Sequence, residues 1–182
     1  LCITLANYEE RKGHKFLFEA FSKVTSEIPS AQLVCCGGGT VCEKNTVLDS
    51  KHASDSAANI HLLDFIPNGS DLITQADVLL ISSQSLESFG LTAVEAMVRG
   101  VPVVSTKVGG LPEVMGTPSI GGYVVDPSNS SEFARHTIEL LSDKDLREQV
   151  GAAGKKRANM MFSPDRMAKQ YRSILKGEYN GV

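Results

Sequence analysis

The 182-residue sequence has no excess of positive charge, no apolar run long enough to span a bilayer and no cysteine pair spaced for a metal. Each absence removes a class of function. Eighteen Lys and Arg face 21 Asp and Glu, a formal net charge of −3, so there is no basic stripe to neutralise a phosphate backbone and nucleic acid is not an expected partner. A bilayer-spanning helix needs about 20 apolar residues, and the stretch from Leu1 to Gly13 lacks the basic head and small-residue exit of a signal peptide. Cys2, Cys35, Cys36 and Cys42 form no C-x-x-C pair and have no histidine nearby at ligand spacing, so they read as reduced thiols, Cys35 and Cys36 as small strand residues on opposite faces. No internal repeat, linker or low-complexity tract breaks the chain. The glycines from Gly37 to Cys42 lack the last position of G-x-G-x-x-G, which argues against a dinucleotide-binding oxidoreductase. The chain starts without Met and already in an apolar strand pattern, which reads as a fragment.

What is present is an alternation of short apolar runs, bounded by Gly, Pro, Asn and Ser, with longer segments of helical period. That pattern predicts an α/β fold, a Rossmann-like doubly wound parallel sheet of about six strands with a helical C-terminal tail, in one domain over residues 1–182. The expected strands are Cys2 to Ala6, Gln32 to Cys36, Ile60 to Leu63, Asp77 to Ile81, Val101 to Ser105 and Gly122 to Val125. The fourth and fifth are nearly continuous in branched residues, as strands covered on both faces should be. Leu17, Phe21, Val24 and Ile28 form one helical stripe, and Leu91, Val94, Met97 and Val98 another that ends near Gly100. Thr40 to Ala58 is polar and poorly periodic, predicting a short helix with a mobile exit. After Asp126 the chain turns helical, with Phe133, Ile138, Leu141, Leu146, Val150, Met167, Tyr171 and Ile174 as apolar marks, Asn129 and Ser163 as N-caps and Pro164 in the first turn of the last helix.

Strand-to-helix turns at the carboxyl edge of such a sheet aim free N–H groups at an anion. Three are rich in suitable residues: Ala6 to Gly13, Gly37 to Thr40, and Glu87 to Glu95. In the third, Ser82, Ser83 and Ser85 follow the strand, Glu87 lies at the mouth, and Gly90 allows close backbone approach where the helix begins at about Leu91. The amides of Phe89, Gly90, Leu91 and Thr92 would then be free donors for a phosphate. Glu95, one turn on, reads either as a clamp for a vicinal diol such as a ribose or as a solvated helix glutamate. His14, His52, His61 and His136 are scattered without partners and read as surface or strand residues. Gly154-Lys-Lys-Arg157 reads as a solvated helix face, with contact to an anionic membrane surface as its alternative.

The two glutamates Glu87 and Glu95 are separated by seven residues around Phe89-Gly90 and are followed by Gly100-Val-Pro-Val-Val and Gly109-Gly110-Leu-Pro-Glu113. This resembles the signature of family 4 glycosyltransferases and covers nearly the whole chain. The opening is similar to that family's first strand and Lys-Gly turn, and Phe162-Ser-Pro to the start of its last helix. The resemblance implies the C-terminal, donor-binding half of a GT-B fold in a retaining enzyme. Such an enzyme moves a sugar from a UDP-, GDP- or ADP-sugar to a glycan or lipid-linked acceptor in polysaccharide, lipopolysaccharide or glycolipid synthesis. The acceptor would sit on an N-terminal domain absent from this chain. The implied setting is cytoplasmic, with possible peripheral contact at the inner face of the membrane. No cofactor or metal is implied.

Carried onto these residues, the resemblance gives Glu95 the ribose, the amides around Phe89 to Thr92 the phosphates and transferred sugar, Glu87 a place near the reacting carbon, and Lys12 the leaving diphosphate. The turn containing Gly38 would let the chain pass close to the nucleotide. Asp64 to Pro67, with Ile66, is similar to the loop that meets the base. The sequence departs from the family at two places: Ala6-Asn7 stands where Gly-Arg is usual, leaving Arg11 or Lys107 as substitutes for the missing cation, and Asp64 stands where glycine is frequent. A second reading follows, in which the diphosphate site is degraded and the domain is a non-catalytic binding or scaffolding module.

Overall fold

Branched residues build six four-residue strands: β1 (Cys2–Leu5), β2 (Leu33–Cys36), β3 (Ile60–Leu63), β4 (Val78–Ile81), β5 (Val103–Thr106) and β6 (Gly122–Val125). The structure is a computed structural model and describes residues 1–116 and 120–178. All neighbouring strands pair in parallel in the order β3-β2-β1-β4-β5-β6, the expected doubly wound sheet. β5 starts two residues later than its apolar run, because Pro102 has no N–H to give the ladder; its carbonyl still accepts from the Leu79 amide at 3.0 Å.

Seven helices are described: α1 (His14–Glu27), α2 (Val41–His52), α3 (Leu91–Arg99), α4 (Leu111–Met115), α5 (Ser130–Ser142), α6 (Lys144–Met161) and α7 (Pro164–Leu175). Alternation along the strands divides the core in two. Leu80, Val104, Leu33 and Cys35 face Leu17, Phe18 and Phe21 of α1 and Phe133 and Leu140 of α5. Ile3, Leu79 and Val103 face Ala93, Val94 and Met97 of α3 and Leu111 and Met115 of α4. Each large side chain buried this way contributes about 1.5–3 kcal/mol. Phe18 is as buried as Phe21, so the α1 face is wider than the four-residue stripe suggested, while Ile28 is the half-buried C-cap.

The caps at Asn129 and Ser163 hold as expected, accepting from the Glu132 amide at 3.0 Å and the Arg166 amide at 3.2 Å. Gly100 ends α3 in the left-handed region at φ +77°. Four elements escaped the sequence pattern: α4, which starts directly on the Gly109-Gly110 turn, and 3-10 stretches over Glu10–Lys12, Ala57–Asn59 and Gly69–Gln75. On α7 the apolar marks Met167, Tyr171 and Ile174 are 57%, 63% and 52% exposed, so this stripe has no cover among the described residues.

The polar stretch after β2 folds as three turns of helix because its first turn is capped, not because it is amphipathic. Thr40 Oγ1 accepts from the Glu43 amide at 3.3 Å and Glu43 Oε2 accepts from the Thr40 amide at 2.7 Å, a reciprocal box, while Val47 alone is buried on α2. Thr40→Ala should therefore cost about 1 kcal/mol and speed amide exchange in α2 while leaving α1 protected. Uniform exchange across both helices would contradict this.

Candidate functional site

α1 packs on one face of the sheet and α3 on the other, so the chain leaves the adjacent strands β1 and β4 in opposite directions and a crevice opens between their carboxyl ends. The two turns that border it are joined to each other. Ser82 Oγ donates to the Lys12 carbonyl at 2.8 Å, the Gln84 amide to the Arg11 carbonyl at 2.7 Å, and Arg11 Nη1 to the Leu86 carbonyl at 3.0 Å. Gly13 makes this approach possible: at φ +70° it lies where a Cβ would collide with the Ser82 carbonyl, so only glycine fits.

Across this seam Lys12 Nζ meets Glu87 Oε2 at 2.7 Å, with the two side chains 17% and 16% exposed. Ser83 Oγ donates to the same Glu87 oxygen at 3.0 Å, and the Gly110 amide holds the Glu87 carbonyl at 2.9 Å. Glu87 is thus fixed at side chain and backbone. Gly90 and Thr92 line the same small recess. Lys12, expected at the leaving diphosphate, is here half of an ion pair; a phosphate arriving here would compete with Glu87 for it.

A larger cleft of about 470 Å³ continues from Lys12 and is lined by Ala6, Asn7, Gly37, Ile66, Ser70 and Glu95 among others. Glu95 is half-buried in α3, and among the described residues nothing donates to its carboxylate. Arg99, one turn on, reaches back to the Glu95 carbonyl at 3.0 Å and to Ser70 Oγ at 3.4 Å, tying α3 to the loop that carries Ile66. Arg99 was missed in the sequence, although its i+4 spacing from Glu95 was a usable signal. The amides of Phe89, Gly90, Leu91 and Thr92 make no backbone hydrogen bond among the described residues. The turn containing Gly38 borders the cleft through its neighbour. Gly37 lines the cleft, whereas the Gly38 amide donates to Asn7 Oδ1 at 3.3 Å and its carbonyl accepts from the Tyr8 amide at 2.8 Å.

At Asn7 the structure puts a hinge of hydrogen bonds in place of a cation. Asn7 Nδ2 donates to Glu9 Oε1 at 3.2 Å, and Arg11 Nε lies 2.5 Å from Glu9 Oε2; Arg11 and then Asn7 hold the Glu9 carboxyl below its ordinary value. Arg11 lines the cleft beside Lys12, and Lys107 does not. Asp64 points its charge at Lys44, 2.5 Å away, and is not among the cleft-lining residues. Among the described residues no group of three or more His, Cys, Asp or Glu is placed to hold a metal ion.

The profile of a family described as glycosyl transferases group 1 matches residues 1–157. N-acetyl-alpha-D-glucosaminyl L-malate synthase of Bacillus anthracis is 28% identical over all of this chain and 47% of its own length. A GDP-mannose-dependent monoacylated alpha-(1-6)-phosphatidylinositol monomannoside mannosyltransferase of Corynebacterium glutamicum is 30% identical over 92% of this chain and 45% of its own. The chain therefore spans about half the length of these curated relatives. Among solved structures, Anabaena HepE in complex with UDP and glucose superposes with a TM-score of 0.86 at 20% identity, over 97% of this chain and 48% of that one. The C-terminal domain of a group 1 glycosyl transferase (LpcC) from Francisella tularensis superposes with a TM-score of 0.78 at 24% identity, over 90% of this chain and 86% of that one.

The isolated-histidine expectation needs correction at three positions, and His61, on β3, has its Nε2 2.8 Å from Gln32 Oε1. His136 lies 3.1 Å from Glu139 Oε2 and stacks on Tyr123 with ring centroids 3.8 Å apart. His14 is buried in the first turn of α1, with Tyr8 and Phe18 rings 5.2 and 6.2 Å away and both ring nitrogens unpartnered among the described residues. Burial, and then the Lys12 charge, push its pKa down from 6.5 to about 4. Because the folded value lies below the unfolded one, the unfolded chain binds the extra proton between those limits. Stability is therefore full above about pH 6.5 and falls as pH drops toward 4, by up to about 3 kcal/mol. Replacing His14 by Phe should flatten that acid limb in denaturant titrations; an unchanged limb would contradict the assignment.

Proposed function

The chain belongs to the glycosyl transferases group 1 family, and from that premise we propose that it is the donor-binding half of a retaining glycosyltransferase. Its ligand would be a nucleotide-diphosphate sugar, and its partner an N-terminal domain that presents a glycan or lipid-linked acceptor. The observation that carries the reading is the meeting of Lys12, Glu87 and Glu95 around one crevice at the β1–β4 switch. One relative's name specifies GDP-mannose and one neighbouring structure holds UDP, which supports a sugar nucleotide and leaves UDP-, GDP- and ADP-sugars as the donors to test.

Each group has a role set by its position. The Glu95 carboxylate, free of protein donors, accepts from the two ribose hydroxyls. The unpaired amides of Phe89 to Thr92, at the positive end of α3, face the phosphates and the sugar. In the transfer the bond from the anomeric carbon to phosphate oxygen breaks, a bond to the acceptor oxygen forms, and the acceptor proton passes to the departing phosphate oxygen. Negative charge grows on the departing diphosphate, where Lys12, released from Glu87, and the fixed amides stabilise it without reorganisation. Glu87 then faces the sugar at the reacting carbon. In this proposal Lys12 and the amides, and no metal, meet the developing charge.

The second reading, a non-catalytic module with a degraded diphosphate site, stays open: Arg11 lines the cleft four residues after Asn7, and at rest it is paired with Glu9. The proposal also includes a cytoplasmic setting at the inner face of a membrane. Exposed Lys155 and Lys156 on α6 offer charge for such contact, and no described helix is long and apolar enough to cross a bilayer.

Calorimetric titration with UDP, GDP and ADP should show one that binds, and Glu95→Ala should weaken it by about 1–3 kcal/mol through loss of charge-assisted hydrogen bonds. Equal affinity in the variant would remove Glu95 from the ribose. The chain by itself should transfer no sugar, because half of the cleft's walls and the acceptor site lie outside it; turnover above background would overturn the two-domain part of the proposal.

A further inference from the structure

Ser88 and Phe89 stand out on the rim of the site because, among the described residues, neither makes a backbone hydrogen bond. The same property that frees their amides for a ligand deprives this piece of chain of the usual backbone anchors. Its upstream neighbour Glu87 is held by Lys12, Ser83 and Gly110, and its downstream neighbour Gly90 is the left-handed start of α3. Immediately before Glu87, Leu86 is also in the left-handed region at φ +51°, which shows that the turn is tight.

What touches Phe89 from outside the turn is a ring. Phe162 meets it edge to face, with centroids 5.6 Å apart and planes at 87°, while Phe89 itself remains 46% exposed. Phe162 sits at the corner between α6 and α7 and is itself held. The Arg157 guanidinium lies over its ring at 5.9 Å and donates to the Val114 carbonyl at 2.8 Å and the Glu113 carbonyl at 2.6 Å of α4. Arg157 is therefore a brace between α6 and α4 and not part of a solvated face as its Lys-rich surroundings suggested.

We propose that Phe162, fixed by Arg157, is a positioning residue for the anion-binding amides of residues 89–92, acting through the ring of Phe89. It touches no ligand. Its function is to keep free amides preorganised where hydrogen bonds within the protein would have consumed them. A consequence is selectivity of effect: loss of Phe162 should weaken whatever binds through the outer phosphate and spare what binds through ribose and base.

This inference rests on the nucleotide-sugar reading above, and the experiment separates the two. The chain is titrated with UDP and UMP, GDP and GMP, and ADP and AMP, as wild type, Phe162→Ala and Phe162→Tyr, with thermal melts of each. The expected result is that Phe162→Ala lowers diphosphate affinity about three- to tenfold relative to the matching monophosphate, the scale of a lost aromatic pair, and that Phe162→Tyr, which keeps the ring, restores the wild-type ratio. A folded Phe162→Ala protein with the wild-type ratio overturns the positioning role while leaving the nucleotide reading intact. Failure of the wild type to bind any of the six overturns both. Should Phe162→Ala not fold, Phe89→Ala removes the same contact from the other side, and an unchanged ratio there is equally fatal.

Discussion

The packing of Gly13 against the Ser82 carbonyl is the contact on which the site depends. It lets the turn after β1 lie directly on the turn after β4, so that two segments about 70 residues apart in sequence share hydrogen bonds through Lys12, Arg11, Ser82 and Gln84. A side chain at position 13 would open that seam and separate Lys12 from Glu87. The strand order creates the crevice; the glycine sets its width.

Within the crevice the arrangement is one of balanced, mutually satisfied charge. Lys12 is neutralised by Glu87 and Arg11 by Glu9, while among the described residues Glu95 and the amides at the start of α3 have no such partners. The paired groups are held in place at rest, and the unpaired ones are where a ligand gains most, since a polar ligand group meets no internal competitor there. The two cores beneath, divided by the sheet, leave the carboxyl edge with little else to do than carry these loops.

Much of this was legible in the sequence because periodicity and turn chemistry are local. Branched runs located all six strands to within two residues, Gly100 and the caps at Asn129 and Ser163 were readable from residue type, and the spacing of Glu87 and Glu95 picked out a turn that borders the crevice. What stayed hidden depends on pairing across distance. Nothing local distinguishes a Lys12 that faces solvent from one joined to Glu87, a buried His14 from an exposed one, or an Arg157 that braces α4 from its solvated neighbours Lys155 and Lys156. The extent of α2 escaped because a capping box, not a hydrophobic stripe, sustains it.

Several close approaches in the site are of backbone to backbone: position 13 against Ser82, position 37 against Ala6, position 109 against Glu87. A site framed this way changes unevenly as sequences diverge. Charged residues on its rim can migrate by a few positions, because a flexible side chain can still reach the same space. The glycines have no such freedom, and a single inserted residue in either turn would shift every contact along the seam. The lasting mark of this architecture is therefore a set of empty side-chain positions and fixed loop lengths, with the charged residues the more exchangeable part.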